Sequence, residues 1–288
     1  MVAPAILADP QVRKWLGDVE PAWASLDQRS FDALKKPPPA GSVRLAADLA
    51  SEELQQSAVA ANALILLRAA MAGDGLKLTT TGNLARSVVA EMRELFTWPE
   101  FDEAEAFRFH KVINEPDFLP LYFTRHIVQS ATLLRPHKGF LKATTAGRQL
   151  VERKQIGALQ AILFHVAMWH VELDYLGRGL HAGWHQRHVG IVLWALSVAA
   201  TDWQPRESLT RQCTIPVNDV AGSAWDSGSY AMEAQILRPL QWFGLLEHRE
   251  EDVAGSKFAK RQFYRKTGQF DRFLSFDVSL EVAGVSRH

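Results

Sequence analysis

Apolar side chains recur every three or four residues along most of this chain, and short extended runs punctuated by threonine and glycine interrupt them. The stretch from Tyr230 to Gly268 shows the pattern most completely. Ile236, Leu237, Leu240 and Phe243 mark one face of a helix, Gly244 stops it, and Leu245-Leu246 starts an extended run. A polar segment follows. Gln262-Phe263-Tyr264-Arg265 then returns and ends at Thr267-Gly268. The spacing predicts a helix that runs into a two-stranded hairpin.

An earlier segment has the same order. Phe118 to Leu134 reads as a helix with Leu121, Ile127, Val128 and Ala131 on its apolar side. Leu133-Leu134 begins a strand, Pro136-His137-Lys138-Gly139 has the composition of a tight turn, and Phe140-Leu141-Lys142-Ala143 returns toward Thr144-Thr145-Ala146-Gly147. Upstream, Ser51 to Met71 reads as a helix starting at Ser51, with Glu52 and Glu53 in its first turn. Leu76-Lys77-Leu78 reads as a short strand and Leu84 to Leu95 as another helix. The downstream counterparts are a helix over 187–200 and a short one near 206–213.

This order predicts two units, 51–150 and 187–288, with third helices at 118–132 and 229–242 and hairpins at 133–144 and 245–266. Residues 151–186 form a central segment, and 148–176 reads as one long buried helix joining the units. Residues 1–50 form an N-terminal arm. Val12, Trp15, Leu16 and Val19 give it one apolar stripe, and Pro37-Pro38-Pro39 with Gly41 reads as a stiff connector. The expected fold class is mainly α with short two-stranded β-hairpins.

Gly244-Leu245-Leu246 leaving a helix, and the closures at Thr144 to Gly147 and at Thr267-Gly268, resemble bacterial winged-helix proteins of the broad regulator type. Leu78-Thr79-Thr80-Thr81-Gly82-Asn83-Leu84 resembles a phrase in uncharacterised bacterial proteins, some from plasmids, with similar helical repeats. The resemblance covers residues 51–275 and rests on short motifs. It implies tandem winged-helix-like units whose hairpins are the wings, and it implies a fold far more than a function. The chain departs from a regular winged helix twice. An insertion, 96–117, separates the second and third helices of the first unit, and Pro239 falls inside the third helix of the second, where it should kink or shorten it.

Composition narrows the function classes. A length of 288 residues favours two domains over one core. Lysine plus arginine and aspartate plus glutamate number 32 each, so nucleic acid could be drawn only to a local basic face. Cys213 is the sole cysteine, which excludes an internal disulfide and a cysteine-based zinc centre and fits a reducing, cytoplasmic setting. Ile156 to Leu176 is the most apolar segment, yet it contains His165, His170, Glu172 and Asp174, so a buried helix explains it better than a membrane span. No secretory signal is expected in the first ten residues, which lack a basic flank before a long apolar run.

Cations gather at the hairpins. Residues 135–154 carry Arg135, Lys138, Lys142, Arg148, Arg153 and Lys154 against Glu152 alone. Residues 257–272 carry Lys257, Lys260, Arg261, Arg265, Lys266 and Arg272 against Asp271. Such hairpins suit a phosphate backbone, whereas base reading needs donors on the third helices. The expected nucleic-acid-binding residues are therefore Arg125, Lys138, Lys142, Gln235, Arg238, Lys257, Lys260 and Arg261.

The leading expectation is a non-enzymatic bacterial binding protein acting on duplex DNA. The alternative is a protein-interaction or self-association scaffold that uses the Trp-rich helices of 162–203, with Trp184, Trp194 and Trp203 as the contact. A metal-dependent enzyme is the weakest reading. His165, His170, His181, His185 and His188 crowd together, and His181 and His185 are four apart, but no HExxH signature occurs. Nucleophile elbow, phosphate loop and dinucleotide fingerprint are also absent, so no cofactor, metal or membrane partner is expected. The acidic run Glu100, Asp102, Glu103, Glu105, Glu115 and Asp117 reads as a solvated connection. The loop from Gly222 to Gly228 reads as the entry to the next helix, capped by Ser227 or Ser229.

Overall fold

Among the described residues helices predominate, and every sheet is small and antiparallel. The computed structural model describes residues 2–101, 107, 111–181, 184–216, 226–253, 255 and 259–280. The chain divides into unit 1 (Met1–Leu45, Glu172–Gln241, Leu245–His288) and unit 2 (Ala46–Val171, Trp242–Gly244). No helix among the described residues is long and apolar enough to cross a membrane.

Unit 1 begins with helices α1 (Val2–Leu7), α2 (Pro10–Leu16) and α3 (Gln28–Leu34) and strand β1 (Val43–Leu45). Unit 2 then contributes α4 (Ala58–Met71), β2 (Leu76–Lys77), α5 (Arg86–Leu95), α6 (Leu119–Ser130), β3 (Leu134–His137), β4 (Phe140–Ala143), α7 (Thr145–Glu152) and α8 (Ile156–Trp169). Unit 1 resumes with α9 (Val189–Ala199), β5 (Gln204–Pro205), α10 (Arg206–Cys213), α11 (Ser227–Met232), a π-helical turn (Glu233–Leu237) and α12 (Arg238–Trp242). It closes with β6 (Leu246–Asp252), β7 (Lys260–Lys266), α13 (Gly268–Phe273) and β8 (Leu274–Phe276).

In unit 2, α4 buries Val59, Ala63, Leu66, Leu67 and Ala70, the three-and-four spacing of one helix face. Its cap is Ser57, whose hydroxyl accepts the Ala60 N–H at 3.1 Å, and not Ser51, which begins a separate 3₁₀ turn. The sheet order is β2-β4-β3. Gly75 permits the first pairing, because a Cβ there would lie 2.7 Å from the Leu141 carbonyl oxygen. The hairpin turns through Lys138 (φ +48°) and Gly139 (φ +79°), the positive-φ pair of a two-residue loop.

The long helix expected over 148–176 is two helices. Lys154 adopts φ +55°, and Gln155 N–H reaches back to Leu150 O at 2.9 Å, the bond pattern that terminates α7. The second helix, α8, ends at Trp169.

Unit 1 has the same succession from α9 to β7, and its sheet order, β5-β7-β6, is again first, third, second. The helix ahead of its hairpin runs past Pro239 to Trp242, with a distorted turn before the proline. Proline has no N–H to donate and its ring crowds the carbonyl four residues back. The backbone opens into a π turn, with Arg238 N–H bonded to Glu233 O. Asp226, rather than Ser227 or Ser229, caps α11 by accepting the Ser229 N–H at 3.2 Å. The rest of that loop, 222–225, lies outside the described residues.

The N-terminal arm as far as Leu45 belongs to unit 1 and contributes to its core. Trp23 is wholly buried and its indole N–H donates to Thr214 O at 2.9 Å. β1 pairs with β8, placing Val43 opposite Phe276. Trp23→Ala is expected to cost about 3–5 kcal/mol, the range for truncating a buried aromatic. A urea melt checks this, and a loss below about 1 kcal/mol would mean the arm contributes little to the core.

Candidate functional site

The hairpin of unit 2 and the first turn of α7 enclose a groove of about 470 Å³. Gly147 sets the approach, since a Cβ there would lie 2.5 Å from Leu133 O and 3.1 Å from Leu67 Cδ2. Thr144 ties the two elements together. Its N–H donates to Leu133 O at 2.9 Å, its hydroxyl donates to Thr132 O at 2.9 Å, and that hydroxyl accepts the Gly147 N–H at 3.2 Å. The side-chain cap reaches Gly147, while Thr145 and Ala146, whose N–H groups precede it in the first helical turn, line the groove.

Arg135, His137, Lys142 and Arg148 supply the charged and titratable lining, with no carboxylate among them. None of Arg135, Lys142 and Arg148 has an ion-pair partner among the described residues. The register places Arg135 directly opposite Lys142, like charges on neighbouring strands. Such a pair is destabilising unless an anion lies between or beside the two side chains. Thr132 also lines the groove at φ +58°, a left-handed conformation that is uncommon for a β-branched residue. At the matching point before the unit 1 hairpin the residue is Gly244, at φ +75°.

The hairpin of unit 1 has the opposite electrostatic design. Glu247 faces Arg265, Glu251 faces Arg261 and Asp252 faces Lys260 across its strands. Arg265 binds Glu247 at 2.6 Å and Lys260 binds Glu250 at 2.5 Å. The cation count over 257–272 hid this balance because the matching acids lie on the other strand.

The predicted site residues therefore separate. Lys142 lines the groove, and Lys138 is exposed at the tip of the same hairpin, outside the groove lining. Arg125 does not join it. Its guanidinium is paired with the buried Glu115 and donates to Gly82 O at 2.7 Å. Glu115 also accepts the Leu84 N–H at 2.6 Å and is 2% exposed, so it is not part of a solvated acidic run. Gln235 is fully buried and donates to Leu180 O at 2.8 Å, which removes it from any base-reading role. Arg238 lies 3.7 Å from Glu233. Lys260 and Arg261 sit in the neutralised ladder, and Lys257 lies outside the described residues, as do Asp102, Glu103 and Glu105. Arg135, Arg148 and Thr132 were missed as site residues, because only the register and the approach of α7 bring them to Lys142.

The third helices differ as well. α6 turns Tyr122, Arg125, His126, Gln129 and Ser130 outward or partly outward. In α11 only Tyr230 is exposed, and Arg238 and Gln241 of α12 are half-buried, so this helix has little surface to read a groove. The tryptophan patch does not form either. Trp184 and Trp194 are buried, and Trp203 lies under the Arg249 and Arg265 guanidiniums at 4.7 and 4.9 Å.

The histidines disperse. His165 and His170 meet at 2.9 Å through their Nε2 atoms, His181 Nε2 meets Ser227 Oγ at 2.7 Å, and His185 is buried against Trp184. His181 and His185 sit in turns instead of on one helix face. Among the described residues no group of three or more His, Cys, Asp or Glu side chains is placed to hold a metal. Burial pushes the Cys213 thiol up, which leaves it un-ionised.

Comparison with known proteins points to the same part of the chain. Residues 55–156 match the family model of the Y4jL N-terminal domain. A protein of Sinorhizobium fredii (strain NBRC 101917 / NGR234), titled uncharacterized protein y4jL, is 33% identical over 81 residues. That stretch is 28% of this chain and 37% of the relative, so the chain spans well under two-thirds of the relative's length. The similarity is thus to an uncharacterised bacterial protein. No solved structure matches. The matched residues contain α4 through α7 and every residue of the basic groove.

Proposed function

We propose that both six-element motifs are winged-helix units and that unit 2 binds duplex DNA, without enzymatic chemistry, through its hairpin and the groove beside it. The observation that carries this reading is the like-charge register of Arg135 against Lys142, with Arg148 and the first turn of α7 completing the groove. Four cations on one small surface, Lys138 included, suit successive phosphates, and helix N–H groups add donors for an oxyanion. The exposed His126 and the half-exposed Tyr122 and Gln129 of α6 would face the bases. The charge-balanced hairpin of unit 1 lacks this capacity, so only one of the two motifs holds DNA.

Lys142→Glu separates the functional explanation from a structural one. It places a carboxylate opposite Arg135, so the hairpin gains a cross-strand ion pair and thermal stability is kept or slightly raised. Affinity for a random-sequence duplex, followed by fluorescence anisotropy at low salt, is expected to fall about tenfold or more. Arg148→Glu should fall by a similar factor. Unchanged affinity in both variants would remove the groove from the account.

A further inference from the structure

A second cavity, of about 640 Å³, lies within unit 1 between the turn at 176–180, the helix at 230–238 and the hairpin. Its charged lining is Arg178, Arg206, Arg238 and Lys260 against Glu233 and Glu250. Two of these cations are committed. Arg206 is buried and held by Glu233 and by Glu207, at 2.5 and 2.7 Å, and Lys260 is paired with Glu250. The other two are less constrained. Arg238 forms a long ion pair with Glu233, with Nε at 3.7 Å, and that atom is buried without a hydrogen-bond partner among the described residues. Arg178 has no ion-pair partner among the described residues and is held at φ +55° ahead of Gly179 at φ +76°. Tyr230 stacks on the Arg206 guanidinium at 4.1 Å, yet the residue remains 43% exposed.

We propose that this cavity is a binding site for a small organic anion, a carboxylate or phosphate ester with a flat unsaturated body. Arg178 and Arg238 present planar donor forks for the anionic head. The exposed Tyr230 ring, steadied from behind by Arg206, offers a face for the body, and Leu176 and Leu180 add apolar wall. The volume falls in the range of about 300–1,000 Å³ occupied by small-molecule sites. A polyanion is disfavoured, because the neighbouring hairpin presents as many carboxylates as cations along Glu247, Glu251 and Asp252 against Arg265, Arg261 and Lys260.

Calorimetric titration of the full chain with phenyl phosphate and benzoate tests the proposal, with inorganic phosphate and benzyl alcohol as comparisons. Both aromatic anions are expected to bind saturably, and each comparison compound at least about tenfold more weakly. Arg178→Ala and Arg238→Ala should each weaken the anions about tenfold without altering the melting profile. A Lys142→Glu/Arg148→Glu chain, which lacks the basic groove of unit 2, should keep the probe affinity. Loss of binding in that variant would place the anion in unit 2 and overturn the proposal. Absence of saturable binding would overturn it too, as would affinities untouched by both arginine variants or inorganic phosphate binding as tightly as phenyl phosphate.

Discussion

Replacing Arg125 with methionine is expected to destabilise unit 2 by about 3–5 kcal/mol, the cost of leaving a buried carboxylate without its partner. Glu115 is 2% exposed, accepts the Leu84 N–H at 2.6 Å, and faces the Arg125 guanidinium. The same guanidinium holds Gly82 O at 2.7 Å, so the pair fastens the 79–84 turn to α6. Replacing both members, Glu115→Leu with Arg125→Met, should recover much of the loss, because two matched apolar groups leave no buried charge. Urea melts of the single and double variants give the coupling directly. The opposite result would be an Arg125→Met chain of normal stability and weakened duplex binding, which would return Arg125 to the DNA-contacting set.

Acid should unfold unit 1 earlier than its carboxylates alone require. Burial holds the His185 imidazole down at about 3, against an ordinary value of 6.5. Neither ring nitrogen makes a hydrogen bond of good geometry among the described residues, and a weak approach to the Gly228 backbone offsets the burial only in part. Above pH 6.5 the ring is neutral in both folded and unfolded chains, and the stability is whole. Below 6.5 the unfolded chain takes up a proton that the folded chain refuses, so stability falls with pH until about 3. Over that window the loss reaches up to about 5 kcal/mol. His188, also in unit 1, is lowered in the same direction, again chiefly by burial. A His185→Phe chain should therefore show a shallower fall in melting temperature between pH 6.5 and 4.5 than the parent. Equal slopes would mean that water or rearrangement satisfies the buried ring.

The fold was legible where local signals and tertiary packing agree. Gly244, Lys138-Gly139 and the Thr144 and Thr267 closures each mark a real backbone event, and the hairpins and third helices fall close to the predicted bounds, whereas the first helix of unit 2 starts at Ala58 and not at Ser51. The break at Lys154 was hidden, because a lysine at positive φ has no signature in a single sequence. Pro239 predicted a disturbance in this helix, and the structure has a π turn over Glu233–Leu237 just ahead of it, a form that composition does not specify. The site was less legible than the fold. Counting cations along 257–272 could not show that β6 brings Glu247, Glu251 and Asp252 to face them. Arg125 and Gln235 look like polar reading heads in sequence, and only burial reveals that Glu115 and Leu180 engage them. The opposed pair Arg135 and Lys142 depends on register, which a two-residue loop fixes but composition does not.

A salt series of duplex binding tests most directly whether the unit 2 hairpin and groove hold a phosphate backbone. Each neutralised phosphate contributes about −0.9 to the slope of log affinity against log salt, so about four contacts through Arg135, Lys138, Lys142 and Arg148 predict a slope between about −3 and −4. Lys142→Glu/Arg148→Glu should flatten that slope by about two, while Lys260→Glu/Arg261→Glu on the unit 1 hairpin should leave it as it is. No measurable binding at low salt, or a slope indifferent to the groove variant and sensitive to the unit 1 variant, would contradict the account.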